Sequence, residues 1–230
     1  MPAWSFVLFI GALVWALWWT WRAWHDRTVL AVLVGWGALH AALAGAGFYM
    51  VTEALPPRPM LLLLPMLLAV VGLLVFASGR RYLQKADLLA LTVLHVLRIP
   101  VELVLHAGWQ EGLLPRMLTY EGMNFDIISG LTAPLVVLYL RRSRDPGRLL
   151  PLLWNVACLL LLVNVVVRAA LSFPSPMQVL NHDEPMRLVQ HLPWIWLPSV
   201  IVPAVLLAHV AAIVKLIAPS PTRPATHQRA

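Results

Sequence analysis

ADLLALTVLHVLRIPVELVLHAG, residues 86–108, is apolar enough to cross a bilayer and yet carries His95, Arg98, Glu102 and His106. About 20 residues of helix span a ~30 Å hydrocarbon core, and this stretch meets that length. At about 100° per residue the four side chains fall near 0°, 300°, 340° and 20°, so they share one stripe. A charged side chain at the bilayer centre costs roughly 2.5–3.5 kcal/mol on insertion scales, so the stripe must face protein or water. Pro100 adds an expected kink, because proline gives no N–H to the preceding turn. Such a helix needs a bundle around it.

Further apolar stretches supply one. The chain is 60% hydrophobic and 12% charged, outside the range of soluble globular domains. The expected fold is all-α, a polytopic transmembrane helical bundle with seven spans at about 5–24, 28–52, 59–79, 86–108, 120–141, 149–173 and 193–217. Residues 1–218 form this single domain and residues 219–230 a short disordered cytoplasmic tail. The fifth span is the short one. Its uninterrupted apolar part, Ile127 to Leu140, is 14 residues and must borrow a more polar extension from residue 120, with a re-entrant segment as the alternative.

Charge distribution gives the orientation. Twelve of the 17 basic residues follow spans one, three, five and seven: Arg22, Arg27, Arg80, Arg81, Lys85, Arg141, Arg142, Arg144, Arg148, Lys215, Arg223 and Arg229. Arg58, Arg116 and Arg187 lie on the other side, among most of the acidic residues. The positive-inside rule then places the N-terminus outside and the C-terminus in the cytoplasm of a cell (plasma or inner) membrane. A cleaved signal peptide is not expected, since the basic residues follow the first apolar run. The net charge of +7 flanks apolar segments and forms no aromatic-interleaved patch, so the lipid bilayer and not nucleic acid is the expected partner. Cys158 is the one cysteine, which excludes an internal disulfide and a thiolate metal cage.

The remaining polar residues rank the helices. Spans one and three read as lipid-facing scaffold, and span two carries a small-residue seam, Gly37, Ala41 and Gly45, with His40 off it. Span six offers Asn164 and Arg168 one turn apart, and an ion pair of Glu102 with Arg168 or Arg98 is expected. The extension of span five presents Glu121 and Asn124 on one face and Asp126 on another. Two longer outer connections, roughly 109–119 and 174–192, can close over a polar cavity, the second with His182, Asp183, Glu184 and His191.

Three chemistries fit this cluster. Glu102 and His106 at i, i+4 can bind one divalent metal such as zinc, with His182 and His191 as further ligands, and an open position would make a hydrolytic centre. Without metal, Glu102 and His106 serve as catalytic acid and base while Arg98 and Arg168 hold an anionic head group. A hydrogen-bonded network that only fixes helix register is the third. Haem ligation by His95 with His209 or His40 is geometrically open, whereas a retinal Schiff base is excluded by the lack of a mid-membrane lysine. His95, Asn155 and His209 are too sparse for a transport path through the inner half. The expected function is therefore an outward-facing intramembrane pocket, lined by Arg98, Glu102, His106, Glu121, Asn124, Asp126, Asn164 and Arg168, that binds a small polar or amphipathic, lipid-like ligand. Metal-assisted or acid–base catalysis is the enzyme reading and a receptor or transporter the alternative.

Overall fold

The computed structural model describes residues 1–143 and 146–219, and among them helices are joined by turns with no strand. Arg144 and the expected tail from residue 220 onward lie outside the described residues. α1 (Ala3–Trp24) and α2 (Arg27–Gly45) meet at a tight turn in which Asp26 caps α2, accepting from the Thr28 N–H at 2.7 Å. α3 (Met60–Val75) and α4 (Ala77–Gln84) meet at 95°. The Arg80 guanidinium donates to the Leu74 and Val75 carbonyls at 2.8 and 2.9 Å, partners that the end of α3 would otherwise lack. Gly79 permits the bend, since a Cβ there would sit 2.4 Å from the Leu73 carbonyl oxygen. Gly79→Ala is expected to lower the unfolding midpoint in detergent, measured by differential scanning fluorimetry. Gly72→Ala, where a Cβ meets nothing within 4 Å, is expected not to.

α5 (Leu88–Leu94) and α6 (Arg98–Gln110) are two halves of one long helix, separated by a 3₁₀ turn at His95–Leu97. Pro100 accounts for the break, because it leaves the Val96 carbonyl without its N–H and crowds it. α7 (Ile127–Arg142) and α8 (Leu149–Leu171) follow, and α9 (Val202–Ile217) is entered through a wide π-helical turn at Leu197–Ile201.

Most of the described basic residues collect at one end of the bundle. There the Asp87 N–H donates to the Ala23 carbonyl at 2.8 Å, Lys215 donates to the Gln84 and Ala86 carbonyls, and Arg148 donates to that of Ala218. At the opposite end Trp194 packs on Phe6 and Phe9, Gln190 donates to the Tyr49 carbonyl, and Leu113 accepts from the Arg187 and Leu188 N–H groups. The 111–126 and 172–196 segments both sit at this end.

α9 and the α5–α6 helix form the hub. Buried residues make up 72% and 61% of their most apolar stretches, against 28%, 22% and 17% for α1, α8 and α2. The outer helices leave Val7, Leu135 and Leu160 exposed, an apolar surface that suits hydrocarbon and not water. Among the described residues five helices are long and apolar enough to cross a membrane, and α3 with α4 makes a sixth if the bent pair is one span. The fold is thus a helical bundle compatible with a membrane protein.

Two expected spans are shortened. α7 has 16 residues, about 24 Å of helix, because residues 120–126 are not helical. The Thr119 carbonyl accepts from the Gly122 and Asn124 N–H groups at 2.9 and 3.3 Å and curls the chain, so Glu121 and Asn124 share no helix face. α2 ends at Gly45, and of the two glycines in its small-residue seam only Gly37 makes a close approach. A Cβ on Gly37 would meet Val200 at 2.7 Å, whereas one on Gly45 would meet nothing.

Candidate functional site

The polar stripe of α6 closes onto three other helices. α7 approaches so nearly at Gly130 that a Cβ there would be 2.9 Å from the Ile99 side chain. This approach brings Asp126, at the start of α7, onto Arg98 as a buried ion pair. The other terminal nitrogen of Arg98, Nη2, lies 3.2 Å from His209 Nε2 of α9, and His209 Nδ1 lies 3.0 Å from Asn155 Oδ1 of α8. Arginine can only donate, so Nε2 of His209 must accept and its Nδ1 carry the hydrogen; the imidazole is neutral with a fixed tautomer. Asn155 passes the polarity on, donating to the Pro151 carbonyl at 2.8 Å. His95 stacks flat on His209, centroids 3.9 Å apart, and edge-on to Trp154.

Glu102 is held by a different group. The Asn124 amide donates to its two carboxylate oxygens at 2.7 and 2.8 Å and to the Leu118 carbonyl at 3.0 Å, while Asn124 Oδ1 accepts from the Asp126 N–H. Glu102 is 2% exposed. The carboxylate opposite Arg98 is therefore Asp126, and the expected pairing of Glu102 with Arg98 or Arg168 does not occur.

A cavity of about 360 Å³ adjoins this cluster. Arg98, Glu102 and Asp126 stand in its otherwise apolar lining, which comes from α3, α6, α8, α9 and the connections near Phe173 and Met186. Met60, Leu64, Leu67 and Met177, also in the lining, are 39–51% exposed, so the crevice opens through the apolar flank of the bundle.

The other expected residues go elsewhere. His106 reaches Gln110 at 3.1 Å and Glu121 at 3.7 Å and stacks on Tyr120, forming a partly exposed cluster that includes Arg116. Asn164 donates to the Met123 carbonyl, and Arg168 donates to Asn164 Oδ1 at 2.8 Å and faces Met117 sulfur. Residues 182–191 turn Met186, Leu188 and Val189 inward and leave His182, Asp183, Glu184 and His191 exposed. Among the described residues no three His, Cys, Asp or Glu side chains are placed to hold a metal ion, so the expected set of Glu102, His106, His182 and His191 is not assembled. Apolar side chains take the inward positions of that loop because they cover the crevice. Haem ligation by paired His95 and His209 is likewise overturned: the rings stack face to face, and both nitrogens of His209 are engaged. His40 instead hydrogen-bonds Tyr49.

Asn155 and His209 were the members that spacing could not join to the stripe, since each sits on a different helix. Their one signal is an isolated polar residue inside an apolar run.

A family model described as a domain of unknown function (DUF8737) matches residues 55–217, which include every residue of the cluster and the crevice and exclude α1 and α2. No curated protein and no solved structure matches the chain.

Proposed function

We propose that this chain, which belongs to the DUF8737 family, is an integral membrane protein that takes an amphipathic ligand from within the bilayer into the crevice between α3 and α8. In this reading the helices cross seven times with the N-terminus outside, α7 and the bent α3–α4 pair being the short crossings. The observation that carries the reading is the crevice itself: an apolar lining that ends on a buried ionic cluster and opens where exposed leucine and methionine line the flank. A tail enters such a mouth without meeting water, and a head group reaches Glu102, Asp126 and Arg98 at its wall. The cavity volume falls in the range of small-ligand sites, roughly 300–1,000 Å³.

Native mass spectrometry of protein purified in a mild neutral detergent tests it. A bound amphiphile is expected on the wild-type chain, and Val166→Trp, which fills the crevice from α8, is expected to remove it with the helical circular dichroism unchanged. A wild-type chain that carries no amphiphile and takes none up would sink the reading. Orientation has a separate test, helped by the burial of Cys158, the native thiol. In intact cells Asp183→Cys is expected to react with an impermeant maleimide and Arg142→Cys to stay shielded; the opposite pattern reverses the topology.

A further inference from the structure

Resting on the crevice reading, we infer that the ligand's head group is cationic: a protonated amine on a single apolar chain, seated against the Glu102 carboxylate. The charges at the crevice wall are one guanidinium and two carboxylates, each under a tenth exposed. Both terminal nitrogens of Arg98 are engaged, with Asp126 on one and His209 on the other, which leaves only its buried Nε without a partner. Glu102 accepts only from the neutral Asn124 amide, and among the described residues no Lys, Arg or His nitrogen lies within 4 Å of it. A buried carboxylate whose contacts are neutral donors alone has no counter-charge at contact distance, and an ammonium brings one together with a hydrogen bond.

The alternatives fare worse on the same wall. A phosphate or carboxylate head would face Glu102 and Asp126 and find both terminal nitrogens of the one guanidinium already engaged. An alcohol could donate to Glu102 but would leave its charge uncompensated. The tail is set by the lining, where Leu105, Leu162 and Val205 offer no polar partner and the volume lies at the small end of ligand sites, which suits one chain. Entry through the leucine- and methionine-lined flank suits a molecule already dissolved in the bilayer.

Tetradecylamine, tetradecanol and tetradecyl phosphate have the same tail and differ at the head. Their affinities for the purified full chain in a neutral detergent, read by isothermal titration calorimetry at neutral pH, test the inference. The amine is expected to bind about tenfold or more tighter than the alcohol, with the phosphate weakest. Glu102→Gln is expected to bring the amine down to the level of the alcohol, and Val166→Trp to abolish all three. A phosphate that binds best, or an amine preference that survives Glu102→Gln, overturns the cationic head and leaves the crevice standing. If Glu102→Gln does not fold, tetradecyltrimethylammonium on the wild-type chain provides the second arm: a permanent cation on the same tail should also bind tighter than the alcohol, and one that binds no tighter overturns the inference. Failure of all three amphiphiles on the folded wild-type chain removes the crevice reading instead.

Discussion

Arg98→Met is expected to destabilise the bundle by about 3–5 kcal/mol, the usual cost of removing one partner from a buried ion pair. The loss has two sources. Asp126 would remain buried opposite a thioether, and His209 Nε2 would lose its donor while Asn155 still fixes the other ring nitrogen. Arg98→Lys should recover little, because one ammonium cannot reproduce the fork that reaches Asp126 and His209 together. Asp126→Leu on top of Arg98→Met should recover a large part, since it removes the orphaned charge, and the two sites touch and so will not be additive. Unfolding midpoints in detergent, with helical circular dichroism as the signal, check all three variants. A methionine variant as stable as wild type would mean that Asp126 is hydrated or protonated, and the ion-pair account would fall.

The stripe that carries Arg98 and Glu102 was legible in the sequence because helical periodicity is local: two residues four apart on an apolar helix share a face whatever surrounds them. Asn124 and Asp126 were legible as polar residues at the edge of a span, though for a mistaken reason. They act from a curled loop, and the curl depends on the Thr119 carbonyl and Gly122, which no apolar pattern encodes. Partner choice was not legible. Whether Arg98 meets Glu102 or Asp126 depends on how nearly α7 approaches α6, which the absence of a side chain at Gly130 decides. His209 and Asn155 join through the rotation of α8 and α9, and the same rotation turns Arg168 away toward Met117. The loop histidines failed as ligands because that segment needs its inward positions for Met186 and Val189. Helix existence thus followed from hydropathy, and site membership from close approaches that involve glycine.

Gly122→Ala follows from that distinction and should have an effect out of proportion to one methyl group. A Cβ at residue 122 would lie 2.3 Å from the Arg116 carbonyl oxygen and 2.8 Å from Met117 Cα. Both are backbone atoms, so no side chain can swing aside and the 116–126 curl must open. Asn124 would then leave Glu102 and the Leu118 carbonyl, and Asp126, whose N–H is held by Asn124 Oδ1, would shift from Arg98. The expected cost is about 1–3 kcal/mol of stability from overpacking, together with a loss of amphiphile binding of about tenfold or more. Asn124→Leu separates the two effects, because it removes the amide and leaves the Gly122 contact intact. It should lose binding while keeping the curl, which a Met123→Cys label can report through its reactivity. Equal binding in wild type and Gly122→Ala would show that the loop does not set the polar wall of the crevice, whereas Gly45→Ala, with open space around its Cβ, should change neither quantity.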